Sequence, residues 1–291
     1  MRERLIKNKG KIYLLVSAFI YGLAPILAKT AYTGGTRAVT LAFLRASMAV
    51  PLLFVLLKAE HMPLRLTRTE FKKVSLLGLF GGAVPIILLY LSYRYISVGL
   101  ATTLHFVYPI IIVFATSFIY HEKLDKLTLI AALSATAGIF MFVDIGGTAN
   151  KTGIILALLS GIFYSFYVLY MDRSGLDKMD CMKLTFYTLV IISAGTLVYG
   201  LAAHAISFSM TPKAWLYSFL ISLLVTFAAV PLFQAGIKYE GASAAGILST
   251  AEPITTLILG AVFLGEAISG MQYMGGLLIL AGVAAVQIKH R

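Results

Sequence analysis

The sequence predicts an all-α integral membrane protein with ten transmembrane helices, arranged as two inverted five-helix repeats. This prediction rests on ten long apolar runs, a repeat at a spacing of 144 residues, and an odd number of runs in each repeat. Of 291 residues, 59% are hydrophobic and only 12% are charged, which excludes an ordinary water-soluble domain. At about 20 residues per crossing, ten helices need roughly 200 residues and leave short loops.

The apolar runs define ten spans, each long enough to cross a bilayer as a helix. We place them at 12–31, 36–57, 74–93, 99–119, 127–144, 152–170, 183–202, 215–237, 242–263 and 269–288. Basic residues precede the first run, as they do in a secretory signal peptide. However, Ser17 and Tyr21 in this run align with Ser160 and Tyr164 in the second repeat. We therefore expect a retained first helix.

The repeat divides the chain into a first unit at 1–147 and a second at 148–291. Nine residues of the first unit recur 144 positions later: Tyr95, Ala101, Leu104, Pro109, Ile110, Glu122, Leu133, Ala137 and Gly138 recur as Tyr239, Ala245, Leu248, Pro253, Ile254, Glu266, Leu277, Ala281 and Gly282. A unit with five crossings must enter its second copy from the other side of the membrane, so the copies are inverted. Inverted repeats let one central site open alternately to either face, which predicts a transporter.

The distribution of lysine and arginine predicts the orientation. If the N-terminus is cytoplasmic, 18 of the 24 basic residues lie in inner segments, 5 lie in outer segments, and Arg45 lies inside a span. Cytoplasmic loops carry this excess of positive charge. We expect a multi-pass protein of the plasma or inner membrane with both termini in the cytoplasm.

Charge and cysteine content limit the partners. The net charge of +12 lies in the gaps between apolar runs, so we expect the lipid bilayer and no nucleic acid as its partner. The single cysteine, Cys181, cannot form an internal disulfide and has no metal-ligand spacing around it. We expect no metal and no cofactor.

The chain resembles the drug/metabolite transporter superfamily, in particular its EamA-type members with two five-helix repeats. The residues that carry the resemblance are Tyr108-Pro109, Glu122 and Gly138 in the first repeat, and Glu252-Pro253, Leu264-Gly265-Glu266 and Gly282 in the second. The resemblance implies a secondary transporter, frequently an exporter of amino acids or related metabolites. It also implies a central cavity lined by helices 1, 3, 4, 6, 8 and 9, and homodimer contacts through helices 5 and 10.

Glu252 is the most informative candidate residue. It lies about ten positions into the ninth span, or roughly 15 Å, which is close to the bilayer midplane. An ionisable group there costs roughly 2.5–3.5 kcal/mol on insertion scales, so it must face the interior. Pro253 removes a backbone donor and frees the carbonyl of Ser249 one turn earlier. Either Glu252 contacts substrate or a coupling proton, or it anchors a buried hydrogen-bond network.

Two further polar residues lie at similar depth. Arg45 is about 12 Å inside the second span. It either pairs with Glu252, directly or through substrate, or else snorkels to the outer headgroups or locks helix 2 in place; we favour the latter. His105 occupies the repeat position of Ser249 and could relay a proton with Glu252. The alternative, which we favour, is structural hydrogen bonding.

Aromatic and proline residues complete the candidate site. Tyr21 and Tyr164 hold equivalent repeat positions and could stack with a substrate ring or hold a cation, and Tyr167 is a third candidate. Thr226 and Gln234 are weaker candidates in the eighth span. Four prolines lie where a kink would shape the cavity or act as a hinge: Pro85, Pro109, Pro231 and Pro253.

These features predict a carrier that moves a small metabolite by alternating access, with amino acid export as the leading function. An importer or exchanger of a quaternary amine such as choline is the alternative. We do not expect an enzyme, because no nucleophile and base or paired aspartates occur at productive spacing. A passive channel would need charged or carbonyl rings around a pore, and none is evident.

Overall fold

The computed structural model describes residues 8–96, 98–123, 125–141, 150–264 and 269–289. In these residues the chain is almost entirely helical and contains no strand. The predicted all-α class is therefore confirmed.

Within the described residues, ten helical segments follow one another. They are α1 (Lys9–Thr33), α2 (Ala38–Ala59), α3 (Arg68–Ser92), α4 (98–118), α5 (Lys126–Phe140), α6 (Lys151–Arg173), α7 (Cys181–Ala202), α8 (212–240), α9 (242–264) and α10 (Gly270–Lys289). Seven described stretches are long and apolar enough to cross a bilayer, and one of these, Pro212–Ser249, contains both α8 and the first half of α9. Three shorter apolar helices account for α5, the rest of α9 and α10.

Short polar turns set the helix boundaries. At the start of α3, Thr67 and Glu70 form a capping box. Asp125, Asn150 and Asp180 accept hydrogen bonds from first-turn amides of α5, α6 and α7. Gly241, with φ of 78°, separates α8 from α9 in a conformation that glycine adopts readily.

Six helices are interrupted near their middle, and a proline follows each interruption. Pro25 follows the break at Gly22 and Leu23 in α1, Pro51 the turn at Met48, Pro85 the π-helix Leu77–Ala83, Pro109 the break at Phe106 and Val107, Pro231 the π-helix Ile221–Ala229, and Pro253 the turn at Thr250. Proline lacks the amide that would bond four residues back, so the ladder fails there. The four predicted kink positions all coincide with such irregularities.

The interruptions recur at the repeat spacing. The π-helices begin at Leu77 and Ile221, and the breaks in α4 and α9 begin at Phe106 and Thr250, which in both cases are 144 residues apart. The repeat seen in the sequence is thus also present in the backbone irregularities.

Equivalent helices of the two halves, α5 and α10, pack directly against each other. The Ser134 hydroxyl donates to the Leu278 carbonyl at 2.8 Å. Gly138 lies against Gly275 and Ile279, while Gly282 lies against Ala131 and Ala135. Residues nearer the end of α5 contact residues nearer the start of α10, so the two helices are antiparallel.

The halves also interlock through their first and third helices. Gly10 of α1 packs on Tyr239 at the end of α8, and Gly153 of α6 packs on Tyr95 just beyond α3. We call the end of the bundle with Lys9, Glu122, Arg173 and Glu240 the terminal face. The other end, where Gly34 contacts Thr211 and Arg37 donates to the His204 carbonyl, is the opposite face.

Candidate functional site

The interruptions of α1, α4 and α9 meet in the middle of the bundle. Gly22 of α1 packs on Thr255 and on the Glu252 carbonyl. The Gly22 carbonyl, at the break in α1, accepts a hydrogen bond from Thr256 at 3.2 Å. Helix breaks at mid-depth expose polar backbone, and such positions form the substrate sites of carriers with discontinuous helices.

Five partly accessible side chains at mid-helix depth outline the region that we call the central cavity. Tyr21, Arg45, His105, Tyr164 and Glu252 each keep part of their surface accessible, although they lie in the interior of the bundle. The charges of Arg45 and Glu252 both act on Tyr21. The structure therefore brings together most of the residues that the sequence singled out.

Glu252 is placed at the start of the second segment of α9 by the turn at Thr250. In the described part of the chain, its carboxylate makes no hydrogen bond and no salt bridge. The interaction with the Arg45 charge is through space. A carboxylate at this depth without a protein partner is available to a substrate or an ion.

Arg45 of α2 is oriented by α8. Its Nε donates to the Thr226 hydroxyl at 3.3 Å, and its carbonyl accepts from Ser222 at 2.9 Å. Its side chain also interacts with Tyr90. Arg45 thus joins α2 to α8, and its partners lie around the cavity. No direct salt bridge joins Arg45 to Glu252, and both residues are described.

His105 makes a structural hydrogen bond. Its Nδ1 lies 2.8 Å from the Ser160 hydroxyl of α6. Its ring lies 5.6 Å from the ring of Tyr108 and 5.2 Å from that of Tyr164, measured between centroids. Glu252 is not among its contacts; Tyr108 interacts with both residues.

Tyr164 is the centre of an aromatic group. Its ring is parallel to that of Tyr167 at 5.7 Å and nearly parallel to that of Phe233 at 6.4 Å. Tyr108 meets it edge-on at 4.8 Å. Tyr21 in turn meets Phe233 edge-on at 6.1 Å. Such geometries are favourable between π-systems and keep the rings in fixed orientations.

Gln234 bonds to Tyr167, a member of this aromatic group, and both residues are buried. Gln234 is fully buried; Thr185 donates to its Oε1, and its Nε2 donates to the Tyr167 hydroxyl, both at 2.8 Å. Ser249 is also buried and bonds to the Tyr108 hydroxyl at 2.5 Å. These three predicted candidates therefore have protein partners in this conformation.

Sequence reasoning missed the roles of three tyrosines. Tyr90 of α3 and Tyr93, directly after its last residue, lie beside the cavity, where they interact with Arg45, and their rings are 5.4 Å apart. Their spacing of three residues would have placed both on one helix face. In the sequence, Tyr108 stood out only as one of the first-repeat residues that carry the family resemblance. Glu266, the equivalent of Glu122 in the second repeat, lies outside the described residues.

The cavity is closed towards the terminal face. There, the second half of α4 packs on the first half of α9: Gly246 lies against Pro109 and Ile112, and Ser243 donates to Thr116 at 3.2 Å. The largest group of buried apolar side chains fills the same end. Within the described residues, the other halves of α4 and α9, 98–105 and 251–264, do not pack together to a comparable extent.

Comparison with known proteins identifies the family. The sequence pattern of the EamA-like transporter family matches residues 8–144 and again residues 151–287. The chain belongs to the EamA-like transporter family. This confirms the resemblance to the drug/metabolite transporter superfamily and shows that the protein is a membrane transporter.

Relatives of this EamA-like transporter carry the same general description. An "Uncharacterized transporter" of Archaeoglobus fulgidus is 28% identical over 64% of this chain and 66% of its own length. YcbK of Bacillus subtilis is 26% identical over 91% and 88%, and YwfM of the same species is 32% identical over 56% and 55%. A crystal structure at 17% identity covers 97% of this chain and 99% of its own with a TM-score of 0.84, which shows the fold alone.

Proposed function

We propose that this EamA-like transporter moves small zwitterionic metabolites, amino acids above all, through the central cavity by alternating access. One observation carries the proposal: Arg45 and Glu252, a basic and an acidic side chain, lie on one cavity and form no salt bridge with each other. A molecule with a carboxylate and an ammonium group would offer a partner to each of these side chains. The surrounding tyrosines suit an apolar or aromatic side chain.

The alternating movement is supported by the arrangement of the halves. We propose that they are inverted repeats with boundaries near residue 147. The antiparallel contact of Ser134 with Leu278 and the paired interruptions of α3 with α8 and α4 with α9 favour this arrangement. Inverted repeats exchange the roles of their gates between the two states.

The terminal face is proposed to be cytoplasmic, because 18 of 24 basic residues lie on that side if the ten spans are correct. In this orientation the structure represents a state closed to the cytoplasm. Transport out of the cell is the proposed direction.

A cationic substrate is the second candidate. The rings of Tyr21 and Tyr164 near Glu252 resemble the surroundings in which quaternary ammonium groups bind. Such a substrate would need Glu252 and the rings but not Arg45.

The two candidates are separated by counterflow measurements in proteoliposomes with Arg45→Gln and Glu252→Gln. A zwitterionic substrate requires both residues, so both variants should lose amino acid exchange. A cationic substrate would instead leave choline exchange intact in Arg45→Gln. Exposed Arg94→Gln and Glu60→Gln are the matched controls and should exchange normally. Unchanged amino acid exchange in Arg45→Gln would contradict the proposal.

A further inference from the structure

The contact between Tyr108 and Ser249 joins the two halves at their helix breaks. The two hydroxyls are 2.5 Å apart, and both residues are buried. Tyr108 lies just after the break in α4, and Ser249 just before the break in α9. The hydrogen bond therefore forms part of the closed gate on the terminal side.

The repeat gives each of these residues an equivalent position in the other half. Adding 144 to Tyr108 gives Glu252, and subtracting 144 from Ser249 gives His105. If the halves exchange conformations, the contact made by Tyr108 and Ser249 on one side is made by Glu252 and His105 on the other. The carboxyl group of Glu252 and the imidazole of His105 can form a hydrogen bond with each other.

Glu252 and His105 each have an unused hydrogen-bonding group in the present state. The Glu252 carboxylate has no hydrogen-bond partner in the described part of the chain. His105 uses Nδ1 for Ser160, and its Nε2 makes no hydrogen bond to the residues described. His105 and Glu252 lie on the halves of α4 and α9, 98–105 and 251–264, that do not pack together to a comparable extent in this state.

We propose that Glu252 and His105 form a direct contact, through Nε2 of the histidine, when the cavity closes towards the opposite face. This contact replaces the bond between Tyr108 and Ser249, which breaks as the terminal side opens. The transporter then alternates between two equivalent contacts, one in each state. The proposal deepens the proposed function, since it rests on alternating access.

Cysteine accessibility tests the exchange without a known substrate. On a Cys181→Ser background, Ile112→Cys, a buried position where α4 packs on α9, reports opening of the terminal side. Thr102→Cys reports opening of the opposite side. Tyr108→Phe removes a bond of the present state. Since one hydrogen bond shifts such an equilibrium about fivefold, Ile112→Cys should react about fivefold faster and Thr102→Cys more slowly.

Glu252→Leu should have the reverse effect, because Glu252 has no bond to lose in the present state. Ile112→Cys should react more slowly and Thr102→Cys more rapidly. His105→Asn, whose amide can keep the bond to Ser160, should match it, and the double variant should shift no further than either alone. Equal directions for Tyr108→Phe and Glu252→Leu, or additive shifts of Glu252→Leu and His105→Asn, would overturn the proposal.

The outcome is separable from that of the transport assay. If the labelling rates shift in opposite directions but no amino acid exchange is seen, the alternation of contacts stands and the proposed substrate is wrong. If amino acid exchange depends on Arg45 but the labelling rates do not change, the proposed substrate stands and the alternation of contacts is wrong.

Discussion

Ser134 and Leu278 are 144 residues apart in sequence and 2.8 Å apart in space, hydroxyl to carbonyl. Each is the repeat equivalent of the other. The helices that carry them, α5 and α10, run antiparallel. This contact is the observation that most directly favours the proposed inverted arrangement of the halves.

Glycine at the crossing of α5 and α10 should be required for stability. A Cβ on Gly138 would collide with the Gly275 carbonyl oxygen. A Cβ on Gly282 would lie 2.6 Å from the Ala131 carbonyl oxygen. Gly138→Ala and Gly282→Ala should each lower the free energy of unfolding by about 1–3 kcal/mol. Gly276→Ala, which meets nothing within 4 Å, is the control. Thermal unfolding in detergent measures the effect; equal melting temperatures for all three variants would contradict the crossing.

Gln234 should act through protein contacts and not as a substrate ligand. Gln234→Leu leaves the buried Tyr167 hydroxyl without this partner, which should cost about 1–3 kcal/mol of stability. Because Thr185 bonds to the same amide, Thr185→Val and Gln234→Leu should be non-additive in a double-mutant cycle. A change in substrate preference in Gln234→Leu without loss of stability would show direct binding instead.

Tyr164 should contribute its ring and not its hydroxyl. Tyr164→Phe keeps the parallel arrangement with Tyr167 and the edge contact with Tyr108, whereas Tyr164→Leu removes both. If substrate adds a ring contact, Tyr164→Leu should weaken the binding of aromatic amino acids about three- to tenfold, and Tyr164→Phe should leave it nearly unchanged. Competition binding measures both. Tyr273→Leu, on the exposed surface of α10, should resemble the parent protein.

The ion pair between Arg173 and Glu122 should contribute little to stability. Its N···O distance is 2.5 Å, but the side chains are 32% and 49% exposed. An exposed pair is typically worth about 0–1 kcal/mol and is screened by salt. Glu122→Gln should therefore lower the free energy of unfolding by no more than about 1 kcal/mol, and less at high ionic strength. A loss of several kcal/mol, unchanged by salt, would mean that this turn carries more than a surface ion pair.

The sequence by itself determined the helical class, the ten segments and the repeat. Apolar runs must become helices in a bilayer because backbone groups there need internal hydrogen bonds. It also located four of the six irregularities, because the missing amide of a proline such as Pro85 or Pro253 acts locally. The depth of Glu252 and Arg45 followed from counting residues along a helix of fixed rise.

Only the tertiary structure decided which polar groups meet. Ser249 lies on the same helix as Glu252, and Gln234 lies on the helix that orients Arg45. Yet Tyr108 and Tyr167, from other helices, occupy their hydrogen-bonding groups. Arg45 and Glu252, more than 200 positions apart, share a cavity without bonding. The rotation of each helix about its axis and its distance from its neighbours depend on packing throughout the bundle, and spacing along one chain does not specify them.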